Sequence, residues 1–217
     1  MDLSAFYKRI REEIDLIKER DPAARSDLEI LLTYSGLHAM LIYRIAHRLH
    51  INQYKTAARA LSQLGRLLTG IEIHPGAKIG KGLFIDHGAG VVIGETTIIG
   101  DNCLLYQGVT LGGTGKGKGK RHPTLGNNVM VGCGAKVLGP FTVGDNAKIA
   151  ANAVVLEAVP ANATAVGVPA RVVRRDGVRV TQDLDHIHIP DPVSQELCRQ
   201  RAKIEELEKE IENLKNK

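Results

Sequence analysis

Three histidines, His74, His87 and His122, each stand beside a charged group that could organise an imidazole for acid–base chemistry. Glu72 lies two residues before His74, Asp86 immediately precedes His87, and Arg121 immediately precedes His122. A carboxylate beside an imidazole fixes its tautomer and stabilises the imidazolium that forms, so the pair suits a general base. A lone histidine is more often structural. Here the acids, and a glycine-rich tract from Gly112 to Gly119, favour a functional site. The tract is not a phosphate loop: it lacks the Gly-x-x-x-x-Gly-Lys-Ser/Thr pattern, and no helix follows it. Arg121-His122-Pro123 is more informative, because a guanidinium offers a planar fork matched to a carboxylate and the neighbouring imidazole can donate a further bond.

These side chains are carried by a six-residue repeat. Its aliphatic register runs Ile73, Ile79, Ile85, then Ile93, Ile99, Leu105, Leu111, and resumes at Leu125, Val131, Val137, Val143, Ile149, Val155. Four positions after each, a small or apolar residue recurs, as at Ala77, Cys103, Val109, Ala135 and Ala153. Turn formers such as Gly100-Asp101-Asn102 and Gly144-Asp145-Asn146 fill the intervals and tolerate the backbone of a corner. A helical period of about 3.6 does not divide six, and a simple strand alternates without punctuation. Six-residue units read as a parallel β-helix, three units to a triangular coil.

Two steps break this register. From Ile85 to Ile93 the step is eight, which places two extra residues near Gly90-Val91. From Leu111 to Leu125 it is fourteen, read as two units plus two, with Gly112 to Arg121 leaving the coil as an exposed loop. With eighteen residues to a coil, His74 and His87 fall on adjacent coils, and His122 sits where the loop rejoins.

The flanks differ. Residues 1–70 read as an α-helical N-terminal domain. Phe6, Ile10, Ile14, Leu16 and Ile17 follow one face up to Asp21-Pro22. Ser26-Asp27-Leu28-Glu29 is a capping box opening a long apolar run from Ile30 to Leu49, and a further helix spans Lys55 to Leu68. Such helices cap the open end of a solenoid. Residues 71–175 hold the β-helix with its loop at 112–122, and residues 176–217 a tail and a C-terminal helix. There Leu197, Ile204 and Ile211, and likewise Gln200, Leu207 and Leu214, recur by sevens, as in a short coiled coil or a helix packed back on its own subunit.

Composition narrows the function classes. Of the 217 residues 43% are hydrophobic but only 4% aromatic, with no Trp, which suits a narrow interior of stacked aliphatics. The net charge of +5 is spread along the chain with few aromatics between the cations, which argues against nucleic acid and leaves phosphorylated small molecules open. Three cysteines, Cys103, Cys133 and Cys198, have no paired spacing and imply a reducing compartment. The N-terminus lacks a basic start followed by an apolar run, and no stretch reaches eighteen apolar residues, so the expectation is a soluble cytoplasmic protein with no membrane association.

Several segments together resemble the serine O-acetyltransferases of the hexapeptide-repeat family. They are Ile71-Glu72-Ile73-His74-Pro75-Gly76-Ala77, Ile85-Asp86-His87-Gly88, Val92-Ile93-Gly94-Glu95-Thr96, Gln107-Gly108-Val109-Thr110-Leu111-Gly112-Gly113-Thr114-Gly115, Arg121-His122-Pro123 and Gly167-Val168-Pro169-Ala170-Arg171. With Arg20-Asp21-Pro22-Ala23, the likeness covers roughly residues 20 to 173. It implies a left-handed β-helix and acetyl transfer from acetyl-CoA to the hydroxyl of L-serine, giving O-acetylserine for cysteine synthesis. By matching position His87 is the general base, partnered by the acid at 72, and the serine oxygen attacks the thioester directly. Asp21 and Asp86 match residues that bind the serine amino and hydroxyl groups, and Arg121 and His122 those that bind its carboxylate. Gly113, Thr114, Cys133 and Ala151 match the CoA channel; Lys148 and Arg171 are chosen for the CoA phosphates partly on charge. No permanently bound cofactor or metal is implied.

Three departures qualify the resemblance. Position 72, usually Asp in the family, is Glu here. The helical part is shorter than in the longer members, which form dimers of trimers, so a homotrimer is expected. Those members end in an Ile that enters cysteine synthase, whereas this chain ends Asn213-Leu214-Lys215-Asn216-Lys217, which argues against that partnership. A zinc lyase of the carbonic-anhydrase type, a sugar O-acetyltransferase and a non-enzymatic scaffold share the β-helix. An Arg beside His122 is a poor neighbour for a cation, Asp21 supplies an amine-directed acid from outside the β-helix, and the loop and acid–histidine pairs disfavour a scaffold.

Overall fold

The computed structural model describes residues 3–115, 117–179, 199–204, 206–208 and 211. Four helices come first: α1 (Leu3–Arg20), α2 (Asp27–Thr33), α3 (Ser35–Ile51) and α4 (Lys55–Thr69). Ser26 caps α2, its Oγ accepting from Glu29 N at 3.2 Å. The apolar run expected as one helix is two, because Tyr34 takes an extended backbone (φ −84°, ψ 100°) between α2 and α3. Gly36 presses its Cα against the carbonyl of Ile85, so any side chain there would collide with backbone.

Short strands then wind a triangular prism. The first coil holds β1 (Glu72–Ile73), β2 (Lys78–Ile79) and β3 (Phe84–Ile85); the second β4 (Val92–Ile93), β5 (Ile98–Ile99) and β6 (Leu104–Leu105). The third holds β7 (Thr110–Gly112), β8 (Thr124–Leu125) and β9 (Met130–Val131); the fourth β10 (Lys136–Leu138), β11 (Thr142–Val143) and β12 (Lys148–Ile149). After β13 (Val154–Val155) and β14 (Ala163–Val166), the antiparallel β15 (Arg171–Arg175) and β16 (Val178–Arg179) close the far end. Face one is β1-β4-β7-β10-β13, face two β2-β5-β8-β11, and face three β3-β6-β9-β12-β14 with β15 and β16. Parallel pairing in strict register, as Ile73 with Ile93 and Ile85 with Leu105, stacks the aliphatics of the repeat inside. Leu105, Leu111, Val131, Val137 and Ile149 are fully buried.

This register corrects two sequence readings. Asp86 N donates to Leu105 O and Gly108 N to Ala89 O, so Asp86 lies over Tyr106 and Ala89 over Gln107. The two extra residues are therefore His87 and Gly88, not the pair near Gly90-Val91. Likewise β7 and β8 lie on consecutive faces, so the fourteen-residue step is one unit with eight inserted residues, not two units plus two.

The helices lock onto the first coil. Tyr43 Oη donates to Ala77 O (2.7 Å), Ser62 Oγ to Ile73 O (2.8 Å), and His47 Nδ1–H to Pro75 O (2.7 Å). Phe84 turns outward from face three and is buried with Ile14, Ile17, Ile30 and Leu37. Residues 199–204, 206–208 and 211 are helical, and Ile204, Leu207 and Ile211 are exposed on them. Leu197, Cys198, Leu214 and the terminal Asn213–Lys217 lie outside the described residues.

Candidate active site

The His87-Gly88 insertion pushes the chain out at the corner where face three turns into face one. His87 itself is exposed and left-handed (φ 57°), and its carbonyl accepts from Ser35 Oγ at 3.1 Å. The break between α2 and α3 thus sits directly on this bulge. Asp21, arriving from the end of α1, is fixed there by two donors: Tyr34 Oη to its Oδ2 (2.6 Å) and Ala23 N to its Oδ1 (2.8 Å). The Tyr34 hydroxyl, then the Ala23 amide, hold the Asp21 carboxyl below the usual carboxylate range, and positive charge on His87 adds to this. Burial, the bond to Asp21 and then the charges of Asp21, Glu29 and Asp86 push Tyr34 up to about 12. Asp21, Tyr34, Ser35, Asp86 and His87 therefore form one cluster, drawn from the helices and the prism.

Arg121 and His122 lie at a different corner, where face one turns into face two. Thr96 organises both. Its Oγ1 accepts from Arg121 N (3.0 Å) and His122 N (3.1 Å) and sits 2.9 Å from His122 Nδ1, which also receives Thr96 N–H at 3.2 Å. With Nδ1 accepting, the proton of the neutral ring is on Nε2. Burial, then the charge of Arg121, lowers the His122 pKa, so the buried ring stays a neutral Nε2–H donor. Gly94 lies flat against this imidazole, and a Cβ there would run into the ring. The Arg121 guanidinium bonds Glu95 Oε2, so an incoming carboxylate must share it with an acid of the same chain. Lys120 Nζ ties the loop base to Thr96 O (2.7 Å) and Pro123 O (3.1 Å).

The remaining candidates fall in several places. Glu72 opens β1, and its carboxylate pairs with Arg66 (3.3 Å) and Arg59 (4.0 Å) of α4; among the described residues no hydrogen bond joins it to His87. His74 is not part of the bulge cluster. Its Nδ1 accepts from Gly76 N (3.0 Å), and burial, then Arg59, lowers its pKa to about 4. Cys133 and Ala151 share the corner of His87, on lower coils, whereas Gly113 and Thr114 begin the loop at the corner of His122, with Gly113 close to the His122 ring. Lys148 is exposed on the outside of face three. Arg171 Nη1 bonds Glu157 Oε1 at 2.9 Å. Among the described residues no three His, Cys, Asp or Glu side chains converge as a metal site, and no helix is long and apolar enough to cross a membrane.

Sequence reasoning missed Tyr34, Ser35, Glu95 and Thr96 as site-builders. For Tyr34 and Ser35 the local signal was Tyr-Ser-Gly interrupting an apolar run, which marks a helix boundary without naming its partner, while Glu95 and Thr96 stood in the Gly94-Glu95-Thr96 segment with no role assigned.

A prism of six-residue units, capped by helices and carrying an acid–histidine cluster and a glycine-rich loop, defines the hexapeptide-repeat transferases. Residues 122–157 match the family model described as bacterial transferase hexapeptide (six repeats). The serine acetyltransferase of Staphylococcus aureus is 55% identical over 209 residues, covering 96% of this chain and 95% of that protein. Among solved structures, the Brucella abortus serine acetyltransferase in complex with coenzyme A superposes with a TM-score of 0.77 at 41% identity, over 81% of this chain and 70% of that one. The Neisseria gonorrhoeae enzyme in complex with serine gives 0.75 at 42% identity, over 79% and 70%. The chain belongs to the serine acetyltransferase family, which transfers the acetyl group of acetyl-CoA to serine, and its prism is the left-handed β-helix of that family.

Proposed function

We propose that the chain makes O-acetyl-L-serine, the activated serine from which cysteine is built, by direct transfer in a ternary complex. His87 takes the proton of the serine hydroxyl. The oxygen attacks the thioester carbonyl, the carbon–sulfur bond breaks, and the departing thiolate of CoA receives that proton from the imidazolium. An aliphatic hydroxyl is a poor nucleophile near neutral pH without such a base, and general-base assistance contributes roughly 10²–10⁴-fold. Asp21 and Asp86 hold the ammonium and hydroxyl groups, and Arg121 and His122 the carboxylate. Glu72 orients the imidazole by exchanging its Arg66 contact for His87. Gly113, Thr114, Cys133 and Ala151 line the CoA path, with Lys148 and Arg171 offered to its phosphates. No resident cofactor is required, and unpaired Cys103 and Cys133 fit a reducing cytoplasm.

The observation that carries this reading is the meeting of Asp21 with Asp86 and His87: the helical region supplies an amine-directed acid exactly where the β-helix bulges. The two binding halves, however, occupy different corners. Crossing face one from Gly90 to Gly94 takes four residue steps, ~13 Å, farther than one serine can reach. The assembly that joins them is a ring of three protomers, each corner bearing His87 meeting a neighbour's corner bearing His122. Thiol release from acetyl-CoA with a panel of acceptors tests the assignment. L-serine is expected to outpace sugars, and His87→Ala to lose at least a hundredfold in kcat while the assembly stays intact; sugar preference, or unchanged turnover, overturns it.

A further inference from the structure

Along the corner that bears His87, four residues stack in a column. Gly108 N donates to Ala89 O, Gly134 N to Gln107 O and Asn152 N to Cys133 O, each at 2.8 Å, so Ala89, Gln107, Cys133 and Ala151 follow one another down the prism. Three of the four are small. Gln107 is the exception, and its Oε1 is buried without a hydrogen-bond partner among the described residues. The column's other members show that the repeat itself needs no long side chain here. An acceptor hidden from water and left unpaired is unfavourable, and is expected to find a donor when the site fills.

The position of Gln107 says which donor. The His87-Gly88 bulge leaves the coil between the rungs Asp86–Tyr106 and Ala89–Gln107, so Gln107 lies one coil below the base. Cys133 and Ala151, below it, are the residues assigned above to the CoA arm, and the inference rests on that assignment. The arm carries an amide N–H two methylenes from its sulfur. Sulfur and nitrogen are then about 4 Å apart when extended, close to the ~4.8 Å between neighbouring coils. A thioester held in front of His87 brings that N–H to the level of Gln107.

We infer that Gln107 Oε1 accepts a hydrogen bond from the coenzyme A amide nearest the thioester, and so fixes the reacting carbonyl before His87. Gln107 is a binding and positioning residue; it takes no part in the proton transfer. The bond is made to the acyl donor and not to serine, and it uses an acceptor that has no hydrogen-bond partner among the described residues of the single chain. Loss of the acceptor therefore weakens the donor substrate without loosening the fold.

Gln107→Met, which keeps length and removes polarity, tests this. Expected are a roughly three- to tenfold rise in KM for acetyl-CoA, the size of one neutral hydrogen bond, an unchanged KM for serine, and an unlowered thermal midpoint. A coenzyme A analogue with that amide NH replaced by CH₂, measured by calorimetry, gives the coupling. The unmodified protein should bind coenzyme A three- to tenfold more tightly than the analogue, and Gln107→Met should bind the two alike. Equal binding of both ligands by the unmodified protein overturns the inference whatever the variant does, as does a variant that still discriminates. These binding measurements need no acceptor, so failure to acetylate serine would remain a separate result.

Discussion

The hydroxyl of Thr96 sets the pose of Arg121 and His122, since it accepts both of their backbone N–H groups and faces the imidazole nitrogen. Thr96→Val keeps the shape and removes every one of these bonds. Two amide donors then lose their acceptor, a cost of about 1–3 kcal/mol for each that stays buried. The expected outcome is a rise of tenfold or more in KM for serine with KM for acetyl-CoA little changed, read from initial rates. Glu72 poses a different question, because Arg66 and Arg59 hold its carboxylate. If it swings to orient His87 during turnover, Glu72→Gln lowers kcat about tenfold, the size of one orienting hydrogen bond, and spares KM for serine. A lower thermal midpoint with unchanged kcat would assign Glu72 to anchoring α4 instead.

At the scale of elements, His74 shows how the first corner is tuned. Burial first, then Arg59, hold its folded-state pKa near 4 against about 6.5 unfolded. Between those values the unfolded chain binds a proton that the folded chain refuses, so stability is complete above about pH 6.5 and falls as pH drops toward 4. Thermal midpoints across that window should decline less steeply in His74→Asn than in the unmodified protein; parallel declines would remove His74 as a cause. Such tuning was invisible in the sequence, where His74 looked as chemical as His87. The repeat itself was legible, because period six survives in the aliphatics from Ile73 to Val155. Its interruptions were legible only in length. Counting from Ile85 to Ile93 finds two surplus residues but not which two, and only the bonds of Asp86 and Gly108 single out His87 and Gly88. Fourteen residues from Leu111 to Leu125 fit either of two phases, and the choice depends on which face β8 joins. Tyr34 and Asp21 are thirteen residues apart, and the capping box between them says nothing of their pairing, so their 2.6 Å bond follows from tertiary packing.

For the whole molecule, the decisive fact is that the bulge with His87 and the loop base with His122 belong to different corners of one rigid prism. A packed β-helix cannot fold one corner onto another, so a serine held by both sets must lie between two protomers. In the proposed trimer the contact is head-to-tail, joining unlike patches, and it makes a ring because its rotation closes after three protomers. That geometry has a consequence in mixed assemblies. Co-expression of His87→Ala and His122→Ala protomers under two separable tags yields rings in which one protomer's intact bulge meets the other's intact loop. In every mixed trimer one junction of the three pairs a good His87 with a good His122. Random assembly from equal pools makes about three quarters of the rings mixed, so the pool should recover about a quarter of unmodified activity although each parent is inactive. Sites built within single protomers would recover nothing, because every protomer carries a lesion. The pooled value alone does not report ring size, since a two-membered ring pairs a good half with a good half at one junction in two in half of the assemblies, again about a quarter. Tandem-tag purification of the doubly tagged species separates the cases, with one active site per three protomers as the value expected for the trimer.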